Sequence, residues 1–107
     1  MGQAVRFDFT DYLHRQKRFS EKTFGPGPRD RGIVDHIRKE LVEIEADPGD
    51  PKEWLDVATL ALDGALRCGV TPEWVASALL VKLIRNEGRS WPDWRKVPVD
   101  KAIEHNR

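Results

Sequence analysis

The sequence predicts an all-α fold, an antiparallel bundle of helices. Apolar residues recur at helical spacing in four segments, and no segment alternates with a period of two over the length of a strand. Gly and Pro separate the segments by short connections, which favour antiparallel neighbouring helices. The 107 residues suit one domain spanning residues 1–107. Because so small a core buries a limited share of the surface, we expect a homo-oligomer, a dimer or a tetramer.

The first two predicted helices lie on either side of a rigid connection. Residues 8–19 place apolar side chains on one helical face, and the Gly-Pro-Gly-Pro sequence of residues 25–28 ends this N-terminal piece. A second helix is expected at residues 32–46. Its apolar stripe is flanked by a polar stripe formed by His36, Glu40, Glu43 and Asp47. The acids therefore lie beside the core face.

The third and fourth helices both begin with clear start signals. Asp50 as N-cap and Pro51 at the first helical position begin the third helix, which Gly69 should end. Its side chains are apolar nearly all round, so we expect this helix at the centre of the bundle. Thr71 and Pro72 repeat the start signal, and apolar positions at helical spacing carry the fourth helix to about residue 86.

The charges cancel in number but are separated in position. Lys and Arg number 18, as do Asp and Glu, yet the acids concentrate in residues 35–56 and the bases in residues 82–101. A nucleic-acid-binding protein would show a basic excess instead, so we expect no nucleic-acid partner. No apolar run could span a membrane and no apolar signal core is present, so we expect a soluble, cytoplasmic protein. Cys68 is the only cysteine, which excludes a thiolate metal cluster within one chain.

Two pairs of acids carry the first chemical signal. Glu40 and Glu43 lie three apart on the second helix, and Glu53 and Asp56 repeat that spacing on the third. Four carboxylates that converge between two helices repel one another unless a cation neutralises them. Oxygen ligands in this number select Mg²⁺ or Mn²⁺, which leave positions for water and phosphate oxygens. The alternative is that Glu53 only belongs to a helix cap and that Glu40 and Glu43 form a solvated face.

A basic motif follows on the fourth helix. Lys82 and Asn86 lie four apart on one face, and Arg89 follows just past the predicted helix end. An ammonium, an amide and a guanidinium aimed at one place suit a triphosphate. The alternative is a solvated helix end whose cations complement the helix dipole. Together with the acids, the motif favours a site for metal ions and a phosphorylated substrate.

These residues resemble a known family. The motifs Glu-x-x-Glu, Glu-x-x-Asp and Lys-x-x-x-Asn-x-x-Arg, in that order, are similar to those of the MazG-like all-α nucleoside triphosphate pyrophosphohydrolases. Over roughly residues 18–95 the chain resembles the phage-type dATP/dGTP diphosphohydrolase branch. Within that branch it is similar to the MazZ enzymes of phages whose DNA carries 2-aminoadenine. The segments that carry this likeness are Phe19-Ser20, Thr23-Phe24-Gly25-Pro26, residues 32–41, Glu53-Trp54-Leu55-Asp56, Leu62-Asp63-Gly64 and Arg89-Ser90-Trp91-Pro92-Asp93-Trp94.

The resemblance implies an activity and a site. Purine (deoxy)nucleoside triphosphates, dGTP above all and dATP as well, would be cut to the monophosphate and pyrophosphate in the host bacterial cytoplasm. The dGMP would supply 2-aminoadenine synthesis. Residues 30–90 would carry catalysis, and residues 1–24 an N-terminal helix and a lid over the base. The implied ligands of two or more Mg²⁺ or Mn²⁺ ions are Glu40, Glu43, Glu53 and Asp56, and the implied phosphate contacts are Lys82, Asn86 and Arg89.

Four further residues are candidates for substrate contact. Ser20 and Phe24 belong to residues 19–24, whose rings and hydroxyl groups suit a lid over a purine; a loop that closes the bundle is the alternative. His36 lies one turn before Glu40, where it orients a carboxylate, touches phosphate or forms only a local pair. Trp91 follows the basic motif in a loop, where it covers the substrate or closes the bundle.

Two rival functions compete with this interpretation. A non-enzymatic helical interaction module would use the acidic and basic segments to recognise a partner, and it predicts no protection by Mn²⁺ on heating. The same fold acting on another nucleotide, such as phosphoribosyl-ATP or a damaged triphosphate, is the second rival. Substrate screening separates that rival from a purine-specific enzyme.

Overall fold

The computed structural model describes residues 6–107, which form four α-helices and no β-strand. The helices are α1 (Phe9–Phe24), α2 (Asp30–Ala46), α3 (Pro51–Leu66) and α4 (Pro72–Gly88), and a short 3₁₀ helix follows at Trp94–Lys96. The predicted all-α fold is confirmed. Residues 1–5, which belong to the predicted N-terminal segment 1–24, lie outside the described residues.

The chain divides into two compact units, one ending at Ala76 and the other covering Ser77–Arg107. In the first unit, α3 packs against both α1 and α2, as expected of a central helix. One buried cluster there is Leu13, Leu66 and Val75, which come from α1, α3 and the start of α4, and Ile33 and Ile44 of α2 are buried as well. Within residues 6–107, no helix has the length and apolar character needed to cross a bilayer. One domain over residues 1–107 stays a prediction.

Side-chain caps begin α3 and α4 where the sequence predicts them. Asp50 Oδ1 accepts a hydrogen bond from the backbone N–H of Lys52 at 3.0 Å, and Pro51 occupies the first turn. Thr71 Oγ1 accepts one from the backbone N–H of Trp74, also at 3.0 Å. Each cap satisfies an amide that the first helical turn leaves without a partner.

The first helix extends further than predicted. It ends at Phe24 rather than at residue 19, and Gly25 follows at φ +92°, a conformation that favours glycine. Residues 19–24, predicted to be a loop or a lid, are therefore the last turns of α1. Ser20 lies two turns beyond Leu13 on the same helical face, and both are buried.

Candidate active site

Three acids from two helices meet in the first unit. Glu40 and Glu43 on α2 and Glu53 on α3 each place a carboxylate oxygen so that the three oxygens lie within 4.8 Å of one another. The short turn between α2 and α3 causes this meeting, because it sets the end of one helix beside the start of the next. Asp56, the fourth predicted ligand, is outside this trio and is exposed beside the adjoining cavity.

Burial, together with neighbouring carboxylates, raises the pKa of two acids of the trio, Glu40 and Glu53. Burial raises the pKa of Glu40, and Glu43 and the charge of Asp56 raise it further, against an opposing effect of His36. Burial also raises the pKa of Glu53, again with contributions from Glu43 and Asp56. His36 Nε2 lies 3.3 Å from Glu40 Oε1, so the two side chains form the local pair that is one of the alternatives for His36. The carboxylates are held close together at a cost that a cation would relieve.

Two oxygens of the trio are left without a partner. Glu40 Oε2 and Glu53 Oε2 are buried and accept no hydrogen bond from residues 6–107. A buried carboxylate oxygen in that condition is costly unless something compensates its charge. Clustered carboxylate oxygens are the ligands that Mg²⁺ and Mn²⁺ prefer. The donor set therefore fits a divalent cation.

A cavity of about 360 Å³ adjoins the acids in the same unit. Its walls combine aromatic rings of α1 with carboxylates of α2 and α3. The rings of Phe19 and Phe24 pack edge to face, with their centroids 6.0 Å apart. The lining residues are Tyr12, Gln16, Phe19, Ser20, Phe24, His36, Glu40, Asp56, Thr59, Leu60 and Asp63. The volume lies in the range of small-molecule sites, and aromatic walls beside acids suit a planar base with a charged tail.

Behind the cavity runs a buried polar network that the sequence interpretation missed. Arg67 Nε donates to Asp63 Oδ1 at 3.0 Å, and Ser20 Oγ donates to the same oxygen at 2.7 Å. Arg67 Nη1 also donates to the carbonyl oxygens of Gly25 and Gly27, at 2.9 and 2.7 Å. The signal that could have revealed it is Asp63 followed four residues later by Arg67 on an otherwise apolar helix.

The hydroxyl of Ser20 is thus committed to this network. It donates to Asp63 and accepts a hydrogen bond from Arg67 Nη2 at 2.7 Å. Ser20 and Phe24 both border the cavity, as the lid interpretation requires, but they do so from a helix. Ser20 therefore borders the cavity, but its hydroxyl is already hydrogen-bonded to Asp63 and Arg67.

The predicted phosphate-binding residues belong to the second unit. Asn86 Oδ1 accepts a hydrogen bond from Arg89 Nη1 at 3.0 Å. The carbonyl oxygen of Asn86 accepts one from Trp91 Nε1 at 2.7 Å, and the Trp91 ring meets that of His105 edge to face. Lys82 is exposed on α4. Asn86, Arg89 and Trp91 are therefore held together, and their contact with phosphate stays a prediction.

Comparison with known proteins agrees with the resemblance. The family model described as dATP/dGTP pyrophosphohydrolase matches residues 12–107. The chain is also 42% identical over 76 residues to the Eaa protein of Salmonella phage P22; this match covers 70% of the chain but only 23% of that protein's length. No solved structure matches the chain. Since the family model spans most of the sequence, the chain belongs to the dATP/dGTP pyrophosphohydrolase family.

Proposed function

We propose that this protein hydrolyses purine deoxynucleoside triphosphates, dGTP above all and dATP as well, to the monophosphate and pyrophosphate. The observation that carries the proposal is that the acid trio and the aromatic cavity share a wall at Glu40. A purine triphosphate has this same pairing of a flat apolar base with a polyanion that travels with divalent cations. Family membership supports the reaction class.

We assign two or more Mg²⁺ or Mn²⁺ ions to Glu40, Glu43, Glu53 and Asp56. The unpartnered buried oxygens of Glu40 and Glu53 support this assignment. When bound, such ions neutralise charge on phosphate oxygens and acidify the attacking water. Asp56 is exposed, and its position beside the cavity suits a ligand that faces the substrate.

The protein side chains position and deprotonate the water that attacks the α-phosphorus. We assign the role of proton acceptor to Glu40, which belongs both to the acid trio and to the cavity wall, with Glu43 as the alternative. His36, 3.3 Å from Glu40 Oε1, would hold the carboxylate in place. Phe19 and Phe24 would stack on the base. Phosphate contact by the basic residues of the second unit rests on the family resemblance.

We place the activity in phage nucleotide metabolism, where the dGMP released would supply 2-aminoadenine synthesis. This setting rests on the resemblance to the MazZ enzymes.

A homo-oligomer is part of the proposal, because large apolar side chains are exposed in both units. Val42 and Leu55 are 66% and 62% exposed, and Leu80 and Ile84 are each 57% exposed. Exposed apolar area of this kind is typical of surfaces that another subunit covers.

The reaction class is tested by product analysis with a panel of dGTP, dATP, dCTP and dTTP in Mg²⁺ or Mn²⁺. We expect pyrophosphate, not phosphate, and a preference for the purines. Glu43→Ala or Asp56→Ala should lower turnover by at least about 100-fold while circular dichroism stays helical. Glu45→Ala, at an exposed acid on the same helix as Glu43, is the matched control and should keep full activity. Unchanged turnover in Glu43→Ala would contradict the proposal.

A further inference from the structure

Asp63 is a buried acid at the wall of the cavity. It lies on α3, only 6% exposed, and it lines the same cavity as Phe19 and Phe24. Burying a carboxylate costs free energy unless its oxygens are well paired. Only one of the two carboxylate oxygens of Asp63 is paired, which indicates that the residue has a role beyond packing.

One oxygen of Asp63 is fully engaged and the other is free. Oδ1 accepts hydrogen bonds from Ser20 Oγ and Arg67 Nε. Oδ2 accepts none from residues 6–107, and it is not among the polar atoms that are both sealed from solvent and unpartnered. Since Asp63 borders the cavity, this leaves an oxygen acceptor open to whatever enters.

Arg67 holds this acceptor rigidly. Its guanidinium donates to Asp63, to Ser20 and to the carbonyl oxygens of Gly25 and Gly27, so that each of its three nitrogens is engaged. The Asp63 side chain therefore cannot rotate without breaking its bonds to Ser20 of α1 and to Arg67, which is itself bound to the connection that follows α1. A prepositioned acceptor of this kind discriminates between ligands, because a ligand that lacks a matching donor leaves it unpaired.

We propose that Asp63 determines base specificity, its free oxygen accepting hydrogen bonds from the donor edge of guanine. An ionised carboxylate only accepts hydrogen bonds. Guanine presents two neighbouring donors, N1–H and the 2-amino group, whereas adenine presents its amino group beside N1, an acceptor that repels a carboxylate. This inference rests on the proposed function, since it takes the cavity to be the purine site. Asp63 therefore favours dGTP over dATP.

The test is the ratio of kcat/KM for dGTP to that for dATP, measured in wild type and in Asp63→Asn. The amide keeps the shape and keeps an oxygen facing the donors of Ser20 and Arg67, so its NH₂ group must replace the free Oδ2. A donor then faces the donor edge of guanine. We expect kcat/KM for dGTP to fall about 10- to 100-fold and that for dATP to fall less.

Ser20→Ala is the matched control, because it removes one hydrogen bond to Oδ1 while Arg67 Nε still holds that oxygen and Oδ2 stays a carboxylate oxygen. It should lower kcat/KM for both purines alike and so preserve their ratio. A folded Asp63→Asn protein with the wild-type ratio would overturn the inference. If Asp63→Asn does not fold, kcat/KM of the wild-type enzyme is measured instead with dGTP and with 1-methyl-dGTP, in which a methyl group replaces the hydrogen on N1. A loss of at least about tenfold supports the inference, and equal kcat/KM overturns it.

The two proposals fail in different ways. If wild type releases no pyrophosphate from any triphosphate, the proposed function is wrong. If wild type is active but the base ratio does not respond to Asp63→Asn, only the assignment of Asp63 is wrong. The change in ratio also separates a specificity role from a purely structural one, since loss of stability lowers activity toward both purines equally.

Discussion

Replacing Arg67 by Met should destabilise the protein severely. The Arg67 and Asp63 side chains are each 8% exposed, so the change leaves a buried carboxylate without its counter-charge and frees the carbonyl oxygens of Gly25 and Gly27. Breaking a buried pair by removing one partner costs about 3–5 kcal/mol. At about 4 °C per kcal/mol for a domain of this size, the midpoint of thermal unfolding should fall by roughly 12–20 °C.

Thermal and urea unfolding followed by circular dichroism measure this loss. Arg38→Met, at an exposed position of α2, is the control and should change the free energy of unfolding by less than about 0.5 kcal/mol. In an Asp63→Asn background no charge is left uncompensated, so the same Arg67→Met change should cost less, by about 0.5–3 kcal/mol. A loss below about 1 kcal/mol for Arg67→Met in the wild-type background would refute the reasoning.

Two further predictions concern pH. Burial and Glu43 raise the pKa of Glu40 and Glu53, so the stability these acids contribute is complete below their usual value of 4.5 and is lost as pH rises through the folded-state pKa. Glu43→Gln should therefore raise the metal-free unfolding midpoint at pH 7; an unchanged or lower midpoint would contradict this. A hydrogen bond from His14 lowers the pKa of Glu73, so its contribution is present above 4.5 and is lost as pH falls. Glu73→Gln should accordingly show a shallower loss of stability than wild type between about pH 5 and 3 in the same measurement, and an equal slope would argue against the pair.

Local signals were enough to predict where α3 and α4 begin and that Glu40, Glu43 and Glu53 lie close together. Asp50 and Pro51 mark the start of α3 in both sequence and structure, because a cap involves only neighbouring residues. The short turn before them brings Glu43 and Glu53 together for the same local reason. The position of Asp56 depends on which side of α3 faces the cavity, and spacing along one helix could not specify it.

The parts that escaped prediction depend on distant residues. Aromatic and hydroxyl side chains in residues 19–24 suggested a loop, although the first strong stop signal is Gly25. Helical continuation turns Ser20 inward, two turns beyond Leu13, and only there does it meet Asp63 across 43 positions of sequence. A contact of that separation has no periodic signature, so the place of Ser20 in the network behind the cavity had to be seen in three dimensions.

The hydrogen bonds from Arg67 to the connection between α1 and α2 determine which substitutions that connection tolerates. Arg67 binds carbonyl oxygens of Gly25 and Gly27, which every amino acid possesses, and it binds no side chain there. Gly25 and Gly27 are constrained by positive φ angles of 92° and 87°. Arg67 makes no hydrogen bond to Pro26 or Pro28, and neither residue has a positive φ angle. Substitution of either proline should therefore leave the end of α1, and with it the cavity wall, in place.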